Sequence, residues 1–452
     1  MASPSTSPTS SSRVAKSLAL YERALALIPG GTQLISRRPG RFAYGVCPIY
    51  AESASGATIH DVDGNDWLDW VSAIGPAILG YACPAVDDAV REQIGRGAVF
   101  TVNHPAEVEL AEELVAAIPC AEQVRYCKGG GEACAIAVRI ARGVTGRDRV
   151  LVCGYHGWHD WYLAANLDDD TRLDSHLFSG IEPIGVPRAL AGTTIPFPYG
   201  DLEALDTLLH RYPGEVAAIV MEPMRSDFPA PGYLEGVRER ATRAGALLVF
   251  DEVSTGYRPA LGGAQELLGV TPDLGIFAKS MSNGYAMGAV VGTRAAMESA
   301  GRMFISSTYW SDALGLIASL ATLRELRRTD GVARLQATGR LMKARLNQAF
   351  AASGLPGACE GPDWHPGLRF HGLSAGQPRL VSTLFMQEMA AAGILTYPSF
   401  YMNCAHTPAD VERTADSACA AFRKIRHGLE ADCLESLLEV DLVEEPFRRL
   451  VQ

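Results

Sequence analysis

The chain has 452 residues, of which 48% are hydrophobic and 20% are charged, and this balance is typical of a globular protein rather than a disordered or fibrous one. Its formal net charge of −11 argues against nucleic acid as a partner, because a phosphate backbone requires a basic protein face. The sequence has no run of about 20 apolar residues, so we expect no membrane span.

Residues 1–15 are rich in Ser, Thr and Pro and contain no apolar segment of the kind that secretory signals carry. We expect them to form a disordered tail. The ten cysteines show no CxxC pair and no metal-ligand spacing, so we predict buried reduced thiols and no metal site. These features are typical of a soluble, cytoplasmic protein.

The middle of the chain alternates short apolar runs with helical patterns, after a helical region between Val86 and Ile118. This alternation predicts an α/β fold with a mostly parallel sheet and crossover helices. The five predicted strands are Gln123–Cys127, Arg149–Cys153, Val216–Met221, Ala246–Phe250 and Leu274–Ala278.

The last third of the chain has a different pattern. Leucine spacing over 313–350 predicts one long helical connector, and helices are also expected near 380–392 and 408–425. We therefore predict a large domain over 61–325 and a smaller α+β domain over 326–452. Residues 16–60 are expected to pack on the smaller domain or on a neighbouring subunit.

Each predicted strand is followed by residues that can bind or react, and ligands of open α/β sheets bind outside the carboxyl ends of the strands. Gly129–Gly131 lies between a strand and a helix, where backbone N–H groups can bind a phosphate. The turn matches neither the P-loop nor the dinucleotide motif, and a purely structural glycine turn is the alternative.

Two strand ends carry charged groups. Asp251 follows five apolar residues, and a carboxylate in such a place needs a cationic or proton-donating partner, unless it only caps the next turn. Lys279 follows another apolar run, where it can be a reactive amine or a partner of Asp251 or Glu252. Only five of the 40 basic residues are lysines, so the chain uses arginine for routine surface charge.

A phosphate cradle, an acid that keeps a ring nitrogen protonated and an imine-forming lysine are the groups that pyridoxal 5'-phosphate requires. From Ile28 to His427 the sequence resembles class III (ω-type) aminotransferases of fold type I, a family that includes glutamate-1-semialdehyde aminomutase. The resemblance rests on these motifs: Phe250-Asp251-Glu252-Val253 with Gly256-Tyr257-Arg258, Phe277-Ala278-Lys279, Tyr155-His156-Gly157 and Asp61-Val62-Asp63-Gly64.

The resemblance implies the fold type I PLP-dependent transferase architecture and a role for each matching residue. Lys279 resembles the catalytic Schiff-base lysine, and Asp251 the partner of the pyridinium nitrogen. The other cofactor-binding residues would be Val253 under the ring, Tyr155 over it, Glu222 at the next strand end, and Gly130 and Gly131 at the phosphate. The family commonly has Ser-Gly-Thr where this chain has Gly129–Gly131, which implies a weaker phosphate site.

Ser307–Thr308 resembles a segment that reaches the phosphate of the second subunit, which implies a homodimer with shared active sites. The alternative is that Phe304–Ser307 forms a buried strand and Thr308 caps the helix that follows.

The activity implied is a ping-pong aminotransferase that uses an amino donor and a carbonyl acceptor. The segments Tyr155–Asp160, Pro29–Gln33 and Phe304–Trp310 look most like members that act on sugars, so the expected acceptor is an oxidised sugar or an aminoglycoside-type intermediate of antibiotic biosynthesis. Trp158, Tyr309 and Trp310 are candidates for a sugar pocket or for packing. The alternatives are a glutamate-1-semialdehyde-like 2,1-aminomutase and an epimerase or racemase, in which a cysteine or a histidine such as His156 would face Lys279 as a second acid/base.

Overall fold

The structure is a computed structural model that describes residues 13–176, 181–224 and 226–443. The strands in chain order are β1 (Ala51–Ser55), β2 (Thr58–Asp61), β3 (Asp66–Asp69), β4 (Gln123–Cys127), β5 (Arg149–Cys153), β6 (Thr194–Pro196), β7 (Val216–Met221), β8 (Leu247–Asp251), β9 (Leu274–Phe277), β10 (Gly288–Gly292), β11 (Gly357–Glu360), β12 (Gly367–Phe370) and β13 (Ile394–Leu395).

The helices in chain order are α1 (Ala15–Leu27), α2 (Pro84–Ile94), α3 (Ala106–Ala117), α4 (Gly130–Thr145), α5 (Asp160–Leu163), α6 (Leu202–Arg211), α7 (Tyr233–Ala244), α8 (Ala264–Leu268), α9 (Arg294–Met297), α10 (Ala313–Arg328), α11 (Gly331–Ser353), α12 (Gln377–Ala391) and α13 (Pro408–Glu430). Within the described residues, no helix combines the length and apolar character that a membrane crossing requires. The cytoplasmic location stays a prediction.

Two units make up the chain. The first combines the described parts of 1–83 and 333–447, and the second is 84–332. The sequence predicts a large domain over 61–325. The structure differs from this prediction chiefly because it groups 61–83 with the C-terminal third of the chain. The reason is β3, which pairs in parallel with β13.

The second unit is built on a seven-stranded sheet with the order β4-β10-β9-β8-β7-β5-β6. Strands β5 to β9 pair in parallel, whereas β10 is antiparallel to both β4 and β9, so β4 points the same way as the parallel strands. The sheet is therefore mostly parallel, as the sequence predicts. Strands β6 and β10 were not predicted.

Burial explains why these segments form the centre of the sheet. All six residues of β7 are buried and apolar, as expected for a strand covered by helices on both faces. On one face of the sheet, β7 and β8 pack against α7, where Leu234, Val237 and Ala241 are buried in one cluster with Phe250. Burying each large apolar side chain contributes about 1.5–3 kcal/mol, so this cluster fixes the strand ends that follow it.

The first unit contains a four-stranded sheet, β1-β2-β3-β13, and a hairpin of β11 and β12. Helices α12 and α13 belong to it and overlap the two predicted helices. The N-terminal segment contacts the C-terminal third inside this unit: the Tyr397 hydroxyl donates to the Ser36 carbonyl at 2.8 Å.

The structure contradicts two of the predictions made from the sequence. Residues 1–12 of the predicted tail lie outside the described residues, but Arg13–Ala15 are ordered, because Arg13 lies 4.3 Å over the Trp67 ring and Val14 is fully buried. The predicted single connector over 313–350 is two helices, α10 and α11, separated at Thr329–Asp330. Asp330 has φ +51°, a left-handed conformation that an α-helix cannot continue through.

Candidate active site

The carboxyl ends of five strands, β4, β5, β7, β8 and β9, lie along one edge of the seven-stranded sheet, because these strands point the same way. Asp251 is the last residue of β8, and Glu222 directly follows β7. Lys279 comes two residues after β9. The structure thus brings to one edge the predicted site residues Gly130, Gly131, Tyr155, Glu222, Asp251, Val253 and Lys279.

The Asp251 carboxylate is buried, with 4% of the residue exposed. Its Oδ1 accepts from the Val253 amide at 3.0 Å, and its Oδ2 lies 2.8 Å from His156 Nδ1 and 3.5 Å from Cys134 Sγ. Among the described residues, none of these partners is a permanent cation. An acid so deeply buried is stabilised further by a cationic or proton-donating group of a ligand.

Two of these partners come from different elements. His156 follows β5, is 1% exposed and stacks on Trp161, and its Nε2 has no hydrogen-bond partner among the described residues. Cys134 lies on α4, and burial together with the nearby Asp251 raises the pKa of its thiol well above the usual range. The thiol therefore stays protonated and is a weak donor to the carboxylate.

The Lys279 backbone is strained. Its φ is +47°, in the left-handed region that non-glycine residues rarely adopt. The Ser280 hydroxyl holds this turn by donating to the Gly256 carbonyl at 2.7 Å, and Lys279 Nζ donates to Ser254 Oγ at 3.0 Å. Such strain is maintained where the surrounding structure fixes it, often at functional sites.

The sequence analysis gave Glu252 as a possible partner of Lys279, but the structure gives its carboxylate other partners. Its buried carboxylate accepts from the Thr255 hydroxyl and from the amides of Ala264 and Gln265, at 2.5, 2.7 and 2.9 Å. Burial raises the pKa of this carboxyl. Glu252 thus caps the start of α8, and of these two acids Asp251 is the candidate for the site.

The glycine turn starts α4. Gly129 is the N-cap, and the first helical hydrogen bond runs from the Ala133 amide to the Gly129 carbonyl at 3.0 Å, so the Gly130 and Gly131 amides precede the helical ladder. A Cβ on Gly130 would lie 2.9 Å from Val253 Cγ2. Glycine is therefore required for the turn to approach Val253 this closely.

Tyr155 and Glu222 are joined at the ends of β5 and β7. The Tyr155 amide donates to Glu222 Oε2 at 3.3 Å, and Glu222 is 3% exposed. The Tyr155 ring is half-buried and meets the ring of Tyr162 edge to face at 6.2 Å. The aromatic face that the sequence predicted is thus held beside a buried carboxylate.

The segment over 304–312, which we call the 304–312 loop, precedes α10. Phe304 is 86% exposed, Ser307 and Thr308 are exposed, and the N-cap of α10 is Asp312. The alternative of a buried strand over Phe304–Ser307, followed by a helix that Thr308 caps, is therefore wrong, because the segment is largely exposed and Asp312 caps the helix. Trp158 is also exposed, at 71%, whereas Trp310 is half-buried and donates to Glu132.

Sequence reasoning missed two contacts of this site. The sequence analysis named His156 as a possible acid/base facing Lys279. In the structure, the His156 ring, just after β5, contacts Asp251 at the end of β8, and β7 lies between these two strands. The sequence analysis also missed Cys134 beside Asp251. A signal was present for Cys134, which follows the glycine turn by one helical turn and so lies on the first part of α4.

Comparison with known proteins identifies the family. The model of the class III aminotransferases matches residues 42–357. A 3-aminobutyryl-CoA aminotransferase of Cloacimonas acidaminovorans is 34% identical over 92% of this chain and 98% of its own length. A glutamate-1-semialdehyde 2,1-aminomutase of Syntrophobacter fumaroxidans is 35% identical over 90% and 97%.

Among solved structures, the FumI protein of Sphingopyxis sp. MTA144, determined with pyridoxal phosphate, superposes with a TM-score of 0.84 at 25% identity and covers 95% of this chain and 99% of its own. Fold and site together define a PLP-dependent transferase of fold type I. The chain belongs to the class III aminotransferases, and it is a PLP-dependent enzyme of that family.

The residues present fit this cofactor. The buried Asp251 carboxylate lacks a permanent cationic partner among the described residues, which suits a protonated ring nitrogen. The Gly130 and Gly131 amides stand at the start of a 16-residue helix, whose N-terminus favours an anion. When bound, pyridoxal phosphate supplies an aldehyde that condenses with amines and a ring that withdraws electrons from the adjacent carbon.

Proposed function

We propose that the second unit, 84–332, holds pyridoxal phosphate through Lys279 and Asp251. Lys279 would hold the cofactor covalently and, once released, would move the proton at the amine-bearing carbon of the substrate. Asp251 would keep the ring nitrogen protonated, and Val253 would pack under the ring. The observation that carries this proposal is the buried Asp251 carboxylate at the end of β8, which contacts His156. The neighbouring strand β9 leads into Lys279, whose backbone is strained.

The remaining contacts follow from the same edge of the sheet. The Gly130 and Gly131 amides are proposed to bind the phosphate, and Tyr155 to cover the ring face opposite Val253. Glu222 would fix Tyr155, whose backbone amide donates to Glu222 Oε2 at 3.3 Å. These residues bind and orient the cofactor, and only Lys279 is proposed to handle protons of the substrate.

We infer that two copies share their sites, with Ser307–Thr308 of one copy completing the phosphate site of the other. Support comes from the exposure of the 304–312 loop: Phe304 is 86% and Tyr309 64% exposed in the single chain. Apolar side chains this exposed on one loop are typical of a surface that a partner covers.

Hybrid dimers test the sharing. Lys279→Ala chains and Thr308→Ala chains are mixed, and hybrids are isolated by two different affinity tags. Each hybrid has one site with both Lys279 and an intact partner loop, so we expect about half the activity of a wild-type dimer. Absence of any regained activity, with Thr308→Ala impaired by itself, would contradict the shared site.

The reaction proposed is transamination in two half-reactions, with an amino donor and a carbonyl acceptor. For the acceptor we propose an oxidised sugar or an aminoglycoside-type compound. The support is an exposed aromatic platform beside the glycine turn: Trp158 stacks on His159 with ring centroids 4.6 Å apart, and a Cβ on Gly131 would lie 3.2 Å from His159. Aromatic faces of this kind pack against sugar rings.

Absorbance of the loaded enzyme tests this reaction. An amino donor should remove the visible absorbance band that pyridoxal phosphate gives on a lysine, and the correct acceptor should restore it. The donors to compare are a 3-amino acid thioester and glutamate-1-semialdehyde, and the acceptors are a ketosugar and the matching 3-oxo acid thioester. Restoration of the band by the ketosugar, lost in Trp158→Ala, supports the sugar proposal. Restoration by the 3-oxo acid thioester and not by the ketosugar rejects it.

A second candidate is a 2,1-aminomutase, favoured by the 35% identity to the Syntrophobacter fumaroxidans enzyme of that name. It would isomerise glutamate-1-semialdehyde without any added donor, so the same assay distinguishes the two. An epimerase or racemase that uses His156 as its second acid/base is disfavoured, because His156 contacts Asp251.

A further inference from the structure

Lys128 has no role in the site proposed above. It is one of five lysines in a chain that otherwise uses arginine, and it stands between β4 and the glycine turn Gly129–Gly131. Its ammonium forms an ion pair with Asp312, and only 19% of the Lys128 side chain and 18% of the Asp312 side chain are exposed. A pair this sheltered is less screened than a surface pair.

The surroundings of Lys128 are shaped for this ammonium. A Cβ on Gly315, in the first turn of α10, would lie 2.8 Å from Lys128 Nζ. Met287 Sδ lies 3.7 Å from the same nitrogen. Helix α10 therefore leaves room for a compact cation at the position where another residue would place a side chain.

Asp312 serves two purposes at once. Its Oδ1 accepts from the amides of Leu314 and Gly315 at 3.0 and 3.3 Å, which caps α10, and its Oδ2 binds Lys128. Thr308 lies four residues earlier in the chain. The pair thus ties the end of the 304–312 loop to the residue that precedes the glycine turn.

Two more contacts fasten the same loop. The Arg125 guanidinium on β4 donates to the Ile305 carbonyl. Trp310 Nε1 donates to Glu132 Oε1 at 3.3 Å, while Glu132 Oε2 accepts from the Lys128 amide at 2.9 Å. The loop is therefore held by β4, by the residue that follows it and by the first turn of α4.

We propose that Lys128 is a positioning residue for the active site of the partner subunit. Through Asp312 it fixes the 304–312 loop, and in the dimer proposed above, on which this inference rests, that loop carries Ser307–Thr308 to the other subunit's phosphate. The glycine turn serves a subunit's own site, whereas the lysine before it serves its partner's. Loss of Lys128 should then weaken cofactor binding in trans.

Hybrid dimers with one Lys279 distinguish the effect of Lys128 on the site of its own subunit from its effect on the site of the partner. One chain carries Lys279→Ala, so borohydride fixes cofactor only in the other chain, and the amount fixed after dilution reports retention at that single site. Lys128→Met is placed either in the Lys279→Ala chain, which donates its loop to the counted site, or in the chain that contains Lys279. We expect about tenfold faster cofactor loss in the first arrangement and a clearly smaller change in the second.

Equal loss in both arrangements, or greater loss in the second, would overturn the proposal. Thr308→Ala in the loop-donating chain is the control for the shared site itself. If Thr308→Ala has no effect there, the shared site fails and the inference with it. If Thr308→Ala acts in trans and Lys128→Met does not, only the inference fails.

Asp312→Asn is the matched variant. Asparagine caps helices as well as aspartate does, so this change removes the ion pair and keeps the cap of α10. It should reproduce the effect of Lys128→Met in trans, and the double variant should add little to either single change. Additive effects of the two substitutions would show that the residues act separately and would overturn the proposal. If Lys128→Met proves unstable, Asp312→Asn in the loop-donating chain tests the proposal alone, and unchanged cofactor retention there overturns it.

Discussion

Asp251 shows how single residues prepare this site. A carboxylate with 4% exposure is costly to bury, and here it is stabilised by one amide, one imidazole and one thiol. The raised pKa of Cys134 keeps a proton on its sulfur, so the thiol donates to Asp251 instead of repelling it. The carboxylate is thereby oriented before any cofactor arrives.

Asp251→Asn tests the charge of this residue. The amide keeps the size of the side chain but cannot stabilise a protonated ring nitrogen. Loss of one charge-assisted interaction of about 3 kcal/mol corresponds to a turnover roughly a hundredfold lower. Steady-state kinetics measures the effect, with circular dichroism and cofactor content as controls for folding and loading. Near-normal turnover in a loaded variant would remove Asp251 from its proposed role.

At the scale of elements, the distance between α4 and the end of β8 sets the size of the site. Gly130 on α4 approaches Val253 so closely that a Cβ there would lie 2.9 Å from Cγ2. The same helix also carries Cys134 to Asp251. One element thus supports both the proposed phosphate site and the proposed partner of the ring nitrogen.

Gly130→Ala should separate α4 from Val253 and weaken cofactor affinity about tenfold, since a 1.4 kcal/mol loss is a factor of ten. Val253→Ala in the same chain removes the two methyl groups that the new Cβ would meet, so the double variant should recover part of the affinity. Equilibrium binding of pyridoxal phosphate measures both.

Gly129→Ala is the matched control for this substitution. Its Cβ would meet nothing within 4 Å, and its φ of −152° suits alanine. A similar loss of affinity in Gly129→Ala and Gly130→Ala, without recovery in the double variant, would contradict the steric explanation.

Much of this arrangement could be predicted from sequence, because buried parallel strands are apolar runs and their ends are marked by polar residues. β4, β5 and β7 match the predicted bounds, β8 is shifted by one residue at both ends, and β9 ends one residue earlier than predicted. β6 has three residues and includes Pro196, and no α-helix lies in the described residues between β9 and β10, so neither strand shows the expected alternation. The contact of His156 with Asp251 joins residues 95 apart, which no local pattern reveals.

For the whole molecule, we expect one buried histidine to make the free energy of unfolding depend on pH. His406 is a buried group of the first unit: its ring stacks on Trp70 with centroids 3.8 Å apart, and its Nε2 lies 3.0 Å from the Asp69 carbonyl. Its Nδ1 accepts from the Asn403 amide. Burial lowers the pKa of His406 to about 4.

This pKa predicts a loss of stability in acid. The unfolded chain protonates His406 near pH 6.5, whereas the folded chain does so only near pH 4, so the unfolded state binds more protons between these values. The free energy of unfolding should therefore fall as the pH drops from 6.5 to 4, by about 3 kcal/mol. Urea unfolding, followed by a probe in the first unit, measures it.

His406→Gln should flatten this pH dependence, although the variant starts from a lower stability. His210→Gln is the control, because His210 is exposed on α6 of the second unit. An unchanged slope between pH 4 and 6.5 in His406→Gln would show that another group causes the acid sensitivity.

Cofactor attachment to Lys279 is the central claim, and one measurement tests it directly. Borohydride reduction of the loaded enzyme fixes pyridoxal phosphate to whichever lysine holds it, and peptide mapping then locates the label. The chain contains five lysines, Lys16, Lys128, Lys279, Lys343 and Lys424, so the assignment is unambiguous. We predict the label on Lys279, and a label on Lys128 or on any of the other three would contradict the site described here.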